Sequence, residues 1–245
     1  MAAQNDTTTK LNSKYTFDRF VVGKGNRFAY SVAMNVAEAP GKVYNPLLIY
    51  GNPGLGKTYL LHAVGHLVKT LHPELQILYV TCEQLTSEFV HAVNHKQAHI
   101  FRKQFQNVDV LMIDNIEIVA GRAATQQEFF NIFNELYNQE KQIIMTSSKP
   151  LQDLAGLDQL LCSRFDLGLA AEIQNLDIQI RIRILQQNAE ELHLEIPNEA
   201  IQMVAAVLNG DVRQLEGYLA KLEIYYNLEH KPITTQMCLQ LAREL

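Results

Sequence analysis

Gly51-Asn52-Pro53-Gly54-Leu55-Gly56-Lys57-Thr58 follows the pattern G-x-x-x-x-G-K-[ST], the phosphate-binding P-loop. The apolar run Pro46-Leu47-Leu48-Ile49-Tyr50 precedes it and reads as a buried strand. Behind it Leu60, Leu61, Val64, Leu67 and Val68 fall on one helical face. Strand, glycine-rich turn and helix in that order form the context the motif requires. The glycines let the backbone approach a ligand closely. Successive amide N–H groups then converge at the positive end of a helix dipole. Lys57 is expected to neutralise the β- and γ-phosphates of a bound ATP or ADP, and the Thr58 hydroxyl to ligate Mg²⁺.

Working outward, the whole chain is that of an ordinary globular protein. Its 245 residues are 47% hydrophobic and 19% charged, enough for a sizeable core. The net charge of −5 argues against a broad face for duplex DNA, which demands a basic surface. A local site for a single strand stays compatible with it. Cys82, Cys162 and Cys238 are far apart, so neither a zinc site nor a disulfide framework is suggested, and a reducing cytoplasm is expected. Met1 to Lys10 lack the apolar segment of a signal peptide, and no apolar run reaches the length of a membrane span.

Patterning predicts the elements. Residues 1–14 read as a flexible tail. Residues 15–174 read as an α/β nucleotide-binding domain, with helices over 27–38, 84–105 (broken near Asn94–Ala98) and from Thr125 onward. Further strands are expected at Ile77–Thr81, Val108–Asp114, Gln142–Ser147 and near Leu167–Ile173. Thr125 and Glu128 form the T-x-x-E pattern of a capping box. Strands alternating with helices imply a parallel sheet covered on both faces. Residues 175–245 read as all-helical: one helix with Ile178, Ile182, Leu185, Ala189 and Leu192 on its face, and one from Pro197 to Leu208 closed by Asn209-Gly210. A third follows Asp211 and a short one follows Thr234.

A P-loop needs a carboxylate for the magnesium shell. Asp114, ending an apolar strand, is placed as a Walker-B aspartate. Hydrolysis ordinarily uses a second acid beside it to polarise the attacking water. That position is Asn115, whose amide can hydrogen-bond a water but cannot take its proton. The competing reading leaves Asn115 as a loop residue and gives the task to Glu117, against the parity of the strand end. His91, His95 and His99 have helical spacing, but no carboxylate completes a metal site and a helix break is expected between them. They are read as a solvated face.

Several further stretches carry a family resemblance: Leu11-Asn12-x-Lys14-Tyr15-Thr16-Phe17, Phe20-Val21-Val22-Gly23, Tyr44-Asn45-Pro46-Leu47, Asn107-Val108-Asp109-Val110-Leu111, Glu128-Phe129-Phe130, Ser163-Arg164-Phe165 and Arg213-Gln214-Leu215-Glu216-Gly217. With the P-loop they resemble the bacterial DnaA replication initiators, within the AAA+ ATPases, over about Leu11 to Glu229. The resemblance implies an AAA+ fold: a five-stranded parallel sheet flanked by helices, followed by an all-helical lid. It implies nucleotide contacts from Gly51 through Thr58 to Tyr59, with Val22 and Asn26 in the stretch flanking the adenine. Arg164 matches the arginine finger that reaches the nucleotide of the next subunit, so that ATP bridges copies of the chain. The competing role for Arg164 is an ion pair with Asp166. Arg213 matches sensor 2, with a helix-surface pair to Glu216 as its competing role. Val90, Arg122 and Thr125 match positions that contact single-stranded DNA.

The chain also departs from the family. Ser148 stands where initiators usually carry the sensor-1 aspartate, Leu160 replaces an additional arginine at the subunit junction, and Ala124 replaces a basic contact. With Asn115, these changes are expected to weaken hydrolysis or its coupling to assembly while leaving the phosphate cradle intact. Neither the helicase-interaction domain nor the helix-turn-helix of full-length initiators is expected in this stretch. Two readings follow: an initiator ATPase module that self-assembles on ATP and grips a single strand, or a paralogue that binds a full-length initiator and modulates its assembly. A helicase loader of related fold is a third.

Overall fold

A computed structural model describes residues 11–208, 210–229 and 231–244. The first ten residues of the expected tail and Asn209 of the expected helix stop lie outside the described residues. The chain divides into two compact units. One holds the described residues through Phe20, Phe28–Asn52 and Lys57–Ile173. The other holds Val21–Arg27, Pro53–Gly56 and the chain from Gln174 on.

The first unit is built on five parallel strands: β1 (Leu47–Tyr50), β2 (Ile77–Thr81), β3 (Val110–Asp114), β4 (Gln142–Ser147) and β5 (Leu169–Glu172), in the order β2-β3-β4-β1-β5. Strands β3 and β4 are buried along their whole length, as the near-continuous apolar runs of a parallel sheet require. Register places Thr81 beside Asp114 and Tyr50 beside Ser147, so the strand ends that carry polar residues line up along one edge. Helices α1 (Arg27–Glu38), α2 (Lys57–Leu71), α3 (Cys82–Asn94), α4 (Ala98–Lys103), α5 (Ala123–Asn138) and α6 (Gln159–Phe165) alternate with them. A large cluster of the core gathers Phe89, Phe101, Phe129, Phe133 and Phe165 with the apolar residues of β3 and β4.

Three expectations need correcting. Helix α5 begins at Ala123, with Arg122 at its cap, and no capping box forms. Glu128 instead takes a bidentate bond from the Arg102 guanidinium, at 2.6 and 2.7 Å; such a charge-assisted fork is stronger than a bond back to a neutral cap. Residues 11–14, expected in the tail, hold to α2: the Asn12 N–H donates to His62 Nδ1 at 2.9 Å, and the Asn12 carbonyl lies 2.8 Å from His66 Nε2.

The second unit carries α7 (Ile178–Glu191), α8 (Asn198–Val207), α9 (Val212–Glu229) and α10 (Thr235–Arg243). Asp177 and Thr234 cap α7 and α10 by accepting from Ile180 and Met237 N–H groups. The third correction falls here: the buried stripe of α7 is Ile180, Ile184, Leu185 and Ala189, whereas Ile178 is exposed. Ile180 is held there by its own packing, filling the space over Gly23. Among the described residues, no helix is long and apolar enough to cross a membrane.

Candidate functional site

The P-loop leaves β1 at Gly51, whose N–H donates to the Ser147 carbonyl at 3.2 Å. Gly51 has φ 151°, and a Cβ there would lie 2.2 Å from the Ile173 carbonyl oxygen, so only glycine fits. Pro53, Gly54, Leu55 and Gly56 carry the turn, with Leu55 buried. Lys57 then opens α2. Its side chain is only 7% exposed, and its ammonium donates to the carbonyls of Gly51 (2.7 Å) and Asn52 (2.8 Å). The loop thus holds a cation at its own mouth, above a helix N-terminus, which is the charge pattern a polyphosphate takes.

Asp114, 3% exposed, gathers three hydroxyls. Thr58 Oγ1 donates to Oδ2 at 2.8 Å, Tyr79 Oη donates to the same oxygen at 3.3 Å, and Thr146 Oγ1 donates to Oδ1. Burial, and then the charge and hydrogen bond of Asp114, push the Tyr79 phenol far above its usual range, so it stays a donor. The carboxylate and hydroxyl of Asp114 and Thr58 are hard oxygen donors side by side at the foot of the loop, a set that fits Mg²⁺. Sequence reasoning had found these two but missed Tyr79 and Thr146. A threonine beside the end of the apolar run Gln142–Ser147 was the available signal for Thr146, which is fully buried.

Asn115 leaves the pleat in a left-handed conformation, φ 60° and ψ 59°, which asparagine tolerates. Strand parity therefore says nothing about where its side chain aims. Its N–H donates to Thr146 Oγ1 at 2.9 Å. Glu117 sits in the 3-10 turn Ile116–Val119; its Oε1 accepts from the Ser148 N–H at 3.1 Å, while Oε2 is buried with no hydrogen-bond partner among the described residues. Sequence alone did not foresee that the sensor-1 position and Glu117 are joined.

Val90, 48% exposed on α3, comes together with Arg122 and Thr125 from the start of α5, although more than thirty residues separate them in sequence. With Thr86, Ala123 and Ala124 they line a concavity of about 350 Å³. Arg122 is exposed, and the first amides of α5 beside it have no intrahelical acceptor. The cleft therefore offers a guanidinium, amide donors and an apolar side chain. On α6, capped by Asp158, the Arg164 guanidinium lies 5.7 Å from the centre of the Phe130 ring. Among the described residues Arg164 makes no ion pair with Asp166. Leu160 on the same helix is 63% exposed.

In the second unit, Asn26 is buried and spends its side chain on its own loop, accepting from Gly23 N–H and donating to the Val21 carbonyl. The Val22 carbonyl accepts from Arg183 at 2.9 Å. Any contact of this loop with a base would thus come from backbone and the Val22 side chain. Arg213 is exposed in the first turn of α9, where Asp211 accepts from Gln214 N–H. In the first unit, Tyr59 stacks on Tyr15 at 4.5 Å and donates to the Lys14 carbonyl, a tie to the N-terminal segment. His91 and His95 stack on one another at 4.1 Å, and no cluster of three or more His, Cys, Asp or Glu placed to hold a metal occurs among the described residues.

A family model described as the bacterial DnaA ATPase domain matches residues 11–172. The chromosomal replication initiator protein DnaA of Enterococcus faecalis is 42% identical over 235 residues, which are 96% of this chain and 53% of that protein. The chain thus spans about half the length of this curated relative. Domain III of the Thermotoga maritima replication initiation protein DnaA superposes with a TM-score of 0.92 at 37% identity, covering 96% of this chain and 98% of that one. A replication initiator DnaA bound to AMPPCP and single-stranded DNA matches with a TM-score of 0.80 at 36% identity, over 89% of this chain and 66% of that one.

Proposed function

The chain belongs to the bacterial DnaA ATPase-domain family, and from this premise we propose that it is the ATP-binding module of a cytoplasmic replication initiator, a switch that assembles on ATP and engages single-stranded DNA. The observation that carries this reading is the buried Lys57 ammonium held by the Gly51 and Asn52 carbonyls, beside the Thr58–Asp114 pair. A triphosphate offers the lysine stronger acceptors than these carbonyls. Thr58 and Asp114 would hold Mg²⁺, which neutralises charge on the phosphate oxygens. A solved relative bound to AMPPCP and single-stranded DNA supports both ligand classes. Val90, Arg122 and Thr125 then form the strand contact: guanidinium and amides on phosphate, valine against sugar or base. Arg164, with no acid partner among the described residues, is the finger for a neighbouring copy's nucleotide, and Arg213 with Ser148 takes the sensor positions. Asn115 keeps hydrolysis slow, so the ATP state persists.

Calorimetric titration with ATP and Mg²⁺ tests the reading. The native chain binds, and Lys57→Ala weakens binding roughly 10- to 100-fold, the loss of a charge-assisted contact. Absence of binding by folded native protein would sink it. Sedimentation with ATP against ADP tests assembly, with Arg164→Ala expected to remain monomeric in both. The exposed Leu160, at the position where the resemblance implies an arginine, favours one second reading: a paralogue that docks on a full-length initiator. Mixed complexes without self-assembly in the same experiment would select it.

A further inference from the structure

Gln126 is only 5% exposed, yet its side-chain hydrogen bonds go to none of the groups assigned above to nucleotide or strand. Its Nε2 donates to the Val119 carbonyl (3.0 Å) and the Gly156 carbonyl (2.9 Å), and its Oε1 accepts from the Asp158 N–H at 2.6 Å. The Gly156 carbonyl also receives the Gly121 N–H at 2.8 Å. The two backbones approach so closely here that a Cβ on Gly156, φ 88°, would lie 3.0 Å from Gly121 nitrogen. One segment, 119–126, carries Arg122 and Thr125 of the strand cleft. The other, 156–158, ends in the aspartate that caps α6, the helix of Arg164. A buried amide whose donors and acceptor are all spent between two segments fixes their register as a ladder of backbone bonds does.

We propose that Gln126 is the positioning residue that makes the strand-contacting loop and the finger helix one rigid piece. Docking of Arg164 on a neighbouring copy's nucleotide then sets the aim of Arg122 and the first α5 amides. This inference rests on the ATP-switch reading and adds to it the link between its two surfaces. The Phe129–Phe165 contact at 5.7 Å packs α5 on α6 independently, so loss of the amide loosens the loop's register while the core stays closed.

Gln126→Met keeps length and burial and removes the side-chain hydrogen bonds; Gln126→Glu keeps the acceptor for Asp158 and removes both donations. The measurement is fluorescence anisotropy of a labelled oligothymidine with ATP or ADP, after a separate nucleotide titration. The native chain is expected to hold the strand about tenfold more tightly with ATP than with ADP, a typical coupling. In both variants ATP affinity stays within about twofold of native while the ATP-to-ADP ratio for the strand collapses toward one. Arg164→Ala collapses the same ratio, and adding Gln126→Met to it changes nothing more, because the two act on one link. A native ratio retained in Gln126→Met, or additive losses in the double variant, overturns the proposal. So does a native chain that binds ATP but holds the strand equally in both nucleotide states. Failure to bind ATP in the first titration instead defeats the underlying ATP-switch reading.

Discussion

Asn115 follows Asp114 in a left-handed turn, and Glu117 two residues on is pinned by the Ser148 N–H. The two residues compete for the acid's part in hydrolysis, and their surroundings separate them. One Glu117 oxygen is engaged by the Ser148 N–H and the other is closed off from solvent, which disfavours a water held between Glu117 and the terminal phosphate. Position 115 is partly buried, as Glu117 is, but its side chain is not committed to the Ser148 N–H and its backbone is held by Thr146, so an acid there could reach such a water. Aspartate tolerates the left-handed conformation as asparagine does. Single-turnover hydrolysis is therefore expected to rise about tenfold or more in Asn115→Asp, within the usual worth of a placed general base. Glu117→Gln should stay within about twofold of native, since it keeps the acceptor for Ser148. A collapse of turnover in Glu117→Gln with nucleotide affinity intact would reverse the assignment.

At the scale of elements, strands at Ile77–Thr81 and Gln142–Ser147 and the helix at Arg27–Glu38 were legible in the sequence to the residue. Each is a strongly patterned run whose ends carry turn residues. The start of α5 was not, because the local capping pattern at Thr125 lost Glu128 to Arg102, a residue 26 positions earlier. The P-loop and Asp114 were legible because they are motifs; Tyr79, Thr146 and Gln126 were not, because only the register of neighbouring segments gives them a role.

The docking of residues 11–14 was equally hidden. It hangs on α2 through His62, whose ring accepts the Asn12 N–H and so must be neutral at Nδ1. Burial lowers the His62 pKa below its ordinary 6.5; the Asp114 charge opposes this and is outweighed, while His66 adds to it. The undocked state thus binds more protons than the docked one, and docking strengthens with rising pH. It is expected to be intact above pH 6.5 and to weaken as pH falls below that value. Nuclear magnetic resonance would follow the His62 ring and the Asn12 amide together; an Asn12 amide that ignores His62 protonation would contradict this.

For the whole molecule, the governing constraint is charge: a chain of net −5 is to hold a polyanion. It can do so only through a few placed contacts, and among the residues lining the strand cleft Arg122 alone is basic. Amide donors and Val90 contribute without releasing counterions. Each phosphate neutralised on a single strand contributes about −0.7 to the slope of log affinity against log salt. A shallow slope near −0.7 per bound copy is therefore expected for the native chain with ATP. Arg122→Ala should bring the slope close to zero. Val90→Ala should lower affinity roughly tenfold, a lost apolar or stacking contact, and leave the slope where it was. Anisotropy titrations of one oligothymidine across a potassium chloride series measure all three. A slope of about −3 or steeper per copy would mean that several other basic residues carry the strand, and the cleft at Val90, Arg122 and Thr125 would not be its main seat.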